Sequence, residues 1–392
     1  MMRIIIMTKI TYLVRSLASK GGVERIISEK MNYYADQLGY DVYVVTCFQM
    51  IESQRNTFYL SENVKQINLQ SPLYRQYRYK YPKRLWIKWR LNKHFKMQLQ
   101  QVIQQINPDF LITLSYFYAD IICSITCHAV KIVESHEPRT YTLSTRGHNS
   151  KHSLIKRIYL NLYRFIYLRR VEHYADVIVT LTKGDAKLWQ RANRIEVIPN
   201  FTTMNFIEHC NIHEKRVITV GRLSWQKGFD RLIKAWNIVN KKHPDWQLSI
   251  FGSGPMETEL RNQIHHENIL NTNIYPFTND ISNEYSKSSI YALSSHYEGL
   301  PLVLIEAMQH GLPCVAFDCP FGASDVIIDN QCGFIVNEGD IDTFALRLSQ
   351  LIESEELRKR FSINAIEHSK SYNVKKVMAK WDSLLNELSL KK

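Results

Sequence analysis

Ser289-Ile290-Tyr291-Ala292-Leu293-Ser294-Ser295-His296-Tyr297-Glu298-Gly299-Leu300-Pro301, running on into Leu302-Val303-Leu304-Ile305-Glu306-Ala307-Met308, is the stretch whose reading decides the fold. Its first five residues read as a short buried strand. Pro301 suits the first position of a helix, where a missing N–H has no partner to lose, and Gly311 suits the residue past the helix end. Between them nearly every residue is apolar, which predicts a helix buried all round. Two carboxylates interrupt that pattern. Glu298 stands just before the helix, where unpaired backbone N–H groups and the dipole favour an anion. Glu306 lies about five residues inside the helix, about 7.5 Å along its axis at 1.5 Å per residue. A carboxylate on a buried helix must be hydrogen-bonded or neutralised. The separation suits a ligand with phosphate at the helix mouth, a ribose diol further in, and another hydroxylated group near Glu298.

The same strand-then-helix grammar extends in both directions. Residues 3–8 read as a first strand, Gly21-Gly22 opens a helix reaching about Leu38, and Gly39 ends it. Strands follow at 40–46, 109–114, 131–135, 176–181 and 195–198. A linker from Pro199 to about Glu214 precedes a restart: a strand at 216–221, a helix from about Gly228 to Lys241, and strands at 246–251, 273–277, 290–294, 313–318 and 333–336. The alternation predicts an α/β protein with parallel sheets. A chain of 392 residues is too long for one ordinary core and suits two domains. They are placed at residues 1–200 and 215–370, with 371–392 as a last amphipathic helix.

Composition narrows the class. Apolar content of 45% and charged content of 22% are globular values, and no segment approaches the 18 or so apolar residues of a membrane span. Residues 3–8 lack the long apolar region and cleavage site of a secretion signal. Seven cysteines at 47, 123, 127, 210, 314, 319 and 332 form no CxxC pair and read as reduced core residues of a cytosolic protein. A metal reading of Cys123, Cys127 and His128 lacks a second ligand pair of matching spacing. Fifty basic residues against 37 acidic ones give +13, which favours an anionic partner. The cations concentrate between Tyr74 and Lys96, among them Lys83, Arg84, Lys88 and Arg90. They are interleaved with Tyr77, Tyr79, Tyr81, Trp86, Trp89 and Phe95, and no acid occurs there. Rings and cations together suit a lipid headgroup interface; RNA would use the same ingredients. A second basic cluster runs from Arg146 to Arg170.

Other candidate ligand contacts sit at strand ends, where α/β sheets place their sites. Gly21-Gly22 lets backbone approach an anion at a helix N-terminus. Gly221-Arg222-Leu223-Ser224-Trp225-Gln226-Lys227-Gly228 offers two cations to a group that gains negative charge. Gly252-Ser253-Gly254-Pro255 is a glycine turn after a strand, Tyr275-Pro276-Phe277-Thr278 ends another, and His136 ends a strand of the first domain. Asp340-Ile341-Asp342 reads as a helix N-cap rather than a metal-binding pair.

Glu298 and Glu306, with seven residues between them that begin Gly299-Leu300-Pro301, resemble the sugar-nucleotide motif of glycosyltransferase family 4. These are retaining enzymes with two facing Rossmann-like domains, the GT-B fold, and a C-terminal helix that crosses back to the first domain. The resemblance is close over the second domain and thin over the first. It implies that Glu298 contacts the donor sugar and Glu306 the ribose hydroxyls. It further implies that Arg222 and Lys227 clamp the diphosphate, and that the backbones of Gly21 and Gly22 face it. Gly252 and Gly254 would form the donor-side turn, Phe277 would lie beside the nucleobase, and His136 would touch the donor sugar. Retention in the family is explained by front-face attack, with the departing phosphate taking the acceptor's proton, so Glu298 is not expected to be a nucleophile.

The expected function is therefore retaining transfer of a sugar from a UDP-hexose or UDP-N-acetylhexosamine to a lipid-linked glycan, as in surface polysaccharide synthesis. Cys314 to Val326, with Phe317-Asp318-Cys319-Pro320-Phe321-Gly322, looks most like bacterial relatives of that type. No cofactor and no metal are expected beyond the nucleotide-sugar substrate. The basic aromatic run would meet an anionic membrane, at the inner face of the cell membrane, rather than nucleic acid. A non-catalytic nucleotide-sugar-binding or nucleic-acid-binding protein is the alternative, against which the intact Glu298, Glu306, Arg222 and Lys227 argue. A dehydrogenase fits less well, because Gly21-Gly22 lacks GxGxxG spacing and no ribose-binding carboxylate follows the next strand.

Overall fold

The computed structural model describes residues 7–19, 21–48, 56–80, 82–140, 154–204 and 212–390. They divide into two compact units: the first takes residues up to Thr180, Asp185–Ile198 and those from Met378, the second Leu181–Gly184 and Pro199–Val377.

Among the described residues, seven parallel strands form the sheet of the first unit: β1 (Lys9–Val14), β2 (Asp41–Thr46), β3 (Val64–Asn68), β4 (Phe110–Leu114), β5 (Val130–Ser135), β6 (Val177–Thr180) and β7 (Ile195–Val197). Their order is β3-β2-β1-β4-β5-β6-β7. Helices α1 (Gly22–Asn32), α2 (Lys83–Ile106), α3 (Ala119–Ile122) and α4 (Leu154–Tyr174) carry the crossovers. Strands buried on both faces need continuous apolar runs, and β4, Phe-Leu-Ile-Thr-Leu, is buried throughout. Of the first strand expected at 3–8, residues 3–6 lie outside the described residues, and Met7 and Thr8 precede the strand Lys9–Val14. Ile10 of that strand pairs with Val42 on one side and Phe110 on the other. Sequence alone missed β3, an edge strand whose Lys65 and Gln66 are exposed.

After the short α5 (Lys183–Ala186), the second unit repeats the scheme. Strands β8 (Arg216–Val220), β9 (Gln247–Phe251), β10 (Thr272–Tyr275), β11 (Ile290–Leu293), β12 (Cys314–Phe317) and β13 (Gly333–Val336) lie parallel in the order β10-β9-β8-β11-β12-β13. The helices are α6 (Phe229–Lys242), α7 (Glu257–His266), α8 (Ile281–Ser286), α9 (Leu302–Gln309), α10 (Ala323–Val326), α11 (Ile341–Glu353) and α12 (Glu355–Ser369). Trp236, Leu248, Ile250, Val315 and Phe344 form one core on one side of this sheet, while Tyr291, Leu304, Ile305 and Met308 belong to another. As expected, α9 is almost wholly buried. Pro301 stands one residue earlier than expected, as the cap before Leu302. Gly311 has a φ of +71°, the left-handed conformation that ends a helix.

Pro199–Met204, read from sequence as the start of a linker, is packed into the second unit; residues 205–211 lie outside the described residues. Phe201 is fully buried, and Thr202 donates its hydroxyl to Gln309 Oε1 at 3.1 Å. The last helix, α13 (Val374–Leu390), belongs to the first unit from Met378 onward. There Trp381 is buried over the Lys30 ammonium at 4.2 Å, Tyr40 donates its hydroxyl to Asp382 at 2.6 Å, and Arg194 holds both oxygens of Glu387. The cysteines among the described residues are all free thiols.

Candidate active site

In a doubly wound sheet the strand order reverses at one place, and the crossovers diverge there to leave a crevice at the carboxyl ends of the strands. In the second unit that place is between β8 and β11. The chain leaving β8 is Gly221-Arg222-Leu223-Ser224, followed by a single tight turn at Trp225–Lys227. The chain leaving β11 is Ser294 through Glu298. The two loops are stitched together. His296 N–H donates to the Gln226 carbonyl at 2.8 Å, the Gln226 side chain to the Tyr297 carbonyl at 3.2 Å, and the Ser294 hydroxyl to the Lys227 carbonyl at 2.9 Å. The Trp225 and His296 rings stack at 4.2 Å.

That stitching brings the charged side chains together. Lys227 Nζ lies 2.7 Å from Glu298 Oε1, and the Ser295 hydroxyl donates to the same oxygen at 2.5 Å. Glu298 is 6% exposed, so its charge is satisfied from within the site. Arg222 is exposed, and no carboxylate among the described residues pairs with it. Gly228 holds a φ of +60°, and a Cβ there would stand 2.2 Å from the Ser294 carbonyl, so only glycine lets α6 start this close to the second loop. Arg231, on the first turn of α6, then donates to that carbonyl at 2.6 Å. At Gly252 a Cβ would come within 1.9 Å of the Gly221 carbonyl, and at Gly254 within 2.3 Å of the Leu223 carbonyl. The glycine turn is thus packed directly on the cation loop. Phe277 follows β10 by two residues and is 70% exposed.

Glu306 lies on the fifth residue of α9 and is buried. Its carbonyl accepts from His310 Nδ1 at 2.8 Å, and His310 Nε2 meets the Ser282 hydroxyl at 2.7 Å. A carbonyl can only accept, so Nδ1 carries the proton and Nε2 accepts from the serine. Burial holds the His310 pKa down, which keeps this neutral form. Burial, and after it the charge of Glu306, push the Tyr285 phenol well above its ordinary value. Gly299, Leu300 and Pro301 lie between the two glutamates, and Leu300 is buried in the core of the second unit.

In the first unit, Gly21 caps α1 in extended conformation and Gly22 is its first residue. Glu24 folds back over Gly21, whereas nothing lies within 4 Å of a Cβ placed on Gly22. His136 follows β5 and is buried, with Nε2 at 2.8 Å from Glu134 Oε2. Lys30 of α1 reaches the same oxygen at 2.6 Å, and Tyr12 donates its hydroxyl to Oε1 at 3.4 Å. Burial would raise the Glu134 pKa, but the charge of Lys30 and the bond to His136 outweigh it and hold the carboxyl at about 2. Glu134 and Lys30 escaped the sequence reading. The signal was an acid inside an apolar strand, Val-Glu-Ser.

Lys83, Arg84, Lys88 and Arg90 lie along the first turns of α2. Arg84 covers the Tyr77 ring, Arg90 the Trp86 ring and Lys83 the Tyr79 ring. Phe95, grouped with these rings in the sequence, is instead a fully buried anchor of the helix; Tyr81 and Arg146 lie outside the described residues. Asp340 caps α11 by accepting from Thr343 N–H at 3.0 Å, as its spacing predicted. No group of three metal-ligating side chains occurs among the described residues.

Two family models divide the chain: Glycosyltransferase Family 4 matches residues 20–205, and Glycosyl transferases group 1 matches residues 202–368. An uncharacterized glycosyltransferase of Haemophilus influenzae is 30% identical over 97% of this chain and 100% of its own length. A Campylobacter jejuni enzyme is 26% identical over 97% of this chain and 99% of its own. Its name is GalNAc-alpha-(1->4)-GalNAc-alpha-(1->3)-diNAcBac-PP-undecaprenol alpha-1,4-N-acetyl-D-galactosaminyltransferase. Among solved structures, S. aureus TarM in complex with Fondaparinux, alpha-GlcNAc-glycerol and UDP matches with a TM-score of 0.74 at 16% identity, over 97% of this chain and 100% of that one. A match at that identity speaks to the fold, the GT-B one of two parallel α/β units. The full-length relative and the two adjoining models carry the rest: this chain is a glycosyltransferase of family 4.

Proposed function

We propose that the protein transfers a hexose or N-acetylhexosamine from a UDP-sugar to a lipid-linked glycan, with retention at the anomeric carbon, in the assembly of a surface polysaccharide. The observation that carries this reading is the joined pair of loops at the switch point of the second sheet. A lysine, a buried glutamate and an exposed arginine converge there beside a glycine turn and the start of a buried helix. Arg222 and Lys227 bind the diphosphate, Glu298 positions the donor sugar, and Glu306 accepts from the ribose hydroxyls. Gly252 and Gly254 give the nucleotide backbone room, and Phe277 flanks the base.

In the transfer step the bond from the anomeric carbon to the diphosphate oxygen breaks as the acceptor oxygen bonds to the same face. The acceptor's proton passes to the departing phosphate. The work left to the protein is positioning and charge stabilisation. Two fixed cations beside the leaving group supply the latter, so the reaction runs without a metal. The UDP of the TarM structure and the undecaprenol-linked acceptor named for the Campylobacter relative support the donor and acceptor classes. The amylovoran glycosyltransferase of Erwinia amylovora, 34% identical over 54% of this chain and 62% of its own length, supports the polysaccharide assignment. No helix among the described residues is long and apolar enough to cross a membrane. The cations of α2 seat the protein on an anionic surface, where it meets a lipid-linked acceptor. The test is a screen of UDP- and GDP-sugars for hydrolysis and for transfer to polyprenyl-diphosphate glycans, run in EDTA. Turnover confined to UDP-sugars bears the reading out. Activity only with restored divalent metal would overturn the cation account.

A further inference from the structure

We propose that the N-terminal half of α4 joins α2 in one membrane-seating face, and that its apolar stripe enters the acyl boundary of an anionic bilayer. The inference rests on the membrane reading above and adds an inserted element to it. Ile158, Leu162, Phe165 and Ile166 recur at the spacing of one helical face. They and the α2 tryptophans, Trp86 and Trp89, are 49–61% exposed. From Tyr167 onward α4 turns into the core: Tyr167, Leu168 and Val171 are buried, and the Tyr167 hydroxyl donates to the Ser115 carbonyl at 2.8 Å. One half of the helix is therefore anchored while the other presents apolar side chains to the surroundings. The two helices touch through Lys88 of α2, whose Nζ meets the Tyr163 hydroxyl at 3.0 Å and lies 4.1 Å from the centre of that ring.

Charge selects the occupant. The 24 residues of α2 contain no acid. The one acid in the 21 residues of α4 is Glu172, which is buried and paired with Arg139 and Arg169. The exposed rings carry their own cations: Arg90 over Trp86, Lys93 over Trp89 and Arg169 over Phe165. An aromatic body with a cation at its edge fits the headgroup layer, where the ring sits at the interface and the cation meets phosphate. Aliphatic residues between such pairs have hydrocarbon to enter just below. An anionic bilayer offers all three layers in the right order.

The experiment is flotation of the full chain with vesicles of phosphatidylglycerol and phosphatidylethanolamine. It compares the wild type with L162S/F165S/I166S and with K83E/R84E/K88E/R90E, the melting temperature of each serving as the check on folding. The stripe variant is expected to lose about tenfold or more in partitioning, from the loss of three apolar side chains. Lipids brominated along the acyl chain should quench the wild-type tryptophans and spare those of the stripe variant. If the stripe variant floats like the wild type while the charge-reversed one is released, insertion is overturned and electrostatic membrane binding stands. If the wild type ignores anionic vesicles, both readings fall. A change of oligomeric state in the stripe variant under those conditions would make the face a contact between copies of this chain.

Discussion

Lys227 and Glu298, 71 residues apart in the chain, are bonded through Nζ and Oε1 at 2.7 Å, so the cation of one site loop is the counter-charge of the other. Neither residue can be changed without disturbing its partner. Removing one member of a buried pair leaves the other uncompensated, at a cost of several kcal/mol. The lysine is about a fifth exposed, which lets water soften that cost.

Lys227→Ala and Arg222→Ala should therefore differ in kind. Lys227→Ala is expected to lower both turnover and stability, the latter by about 1–3 kcal/mol because Glu298 is left buried. Arg222→Ala, at an exposed position with no carboxylate partner among the described residues, should lower turnover by about a hundredfold or more while stability stays within about 0.5 kcal/mol. Chemical denaturation and transfer assays read the two apart. An Arg222→Ala variant with full turnover would remove the arginine from the clamp.

Glu306→Gln should weaken UDP-sugar binding by about ten- to a hundredfold, since a hydrogen bond to a charged group contributes about 1.5–3 kcal/mol. Titration calorimetry with UDP and with the sugar nucleotide measures it directly. Equal affinities would take Glu306 out of the ribose site.

The glycines separate space from function. Gly252→Ala should destabilise the second unit by about 2 kcal/mol or more, because its Cβ would fall 1.9 Å from the Gly221 carbonyl. Gly22→Ala meets nothing within 4 Å and opens a helix, so melting should be unchanged or raised by the equivalent of about 0.4–1 kcal/mol. Donor affinity should nevertheless fall if the Gly22 backbone faces the diphosphate. Unaltered donor affinity in Gly22→Ala would show that its backbone has no such role.

Glu134 gives a pH signature. Its folded pKa is depressed to about 2 from an ordinary glutamate value. Its contribution to stability is therefore full above the ordinary value and is lost as pH falls through the folded one. Glu134→Gln should cost about 3–5 kcal/mol near neutral pH by stranding Lys30, and that deficit should narrow between about pH 4.5 and 2. Urea melts of both proteins across that range provide the measurement. A deficit that stays constant with pH would mean that Glu134 is not held ionised by Lys30 and His136.

The alternation of apolar runs and helical spacing determined the two parallel α/β units. Most strands of the second unit were legible within a residue or two because central strands buried on both faces must be apolar along their whole length. The cation loop, the glycine turn and both glutamates were legible too, because each departs from its local pattern: glycines in a row, or an acid on an apolar helix. Tertiary structure decided what local chemistry leaves degenerate. Lys9–Val14, which the sequence reading passed over, is fixed as a central strand by its pairing with β2 and β4. Polar β3 was illegible because an edge strand is held by its neighbour's backbone rather than by its own side chains. The bonds of Ser295 and Lys227 to Glu298, and of Lys30 and His136 to Glu134, join residues far apart in the chain. So does the meeting of α2 with α4 through Lys88 and Tyr163. Hydrogen bonds act over about 3 Å, and sequence separation carries no information at that range until the sheets have set which strand ends lie side by side.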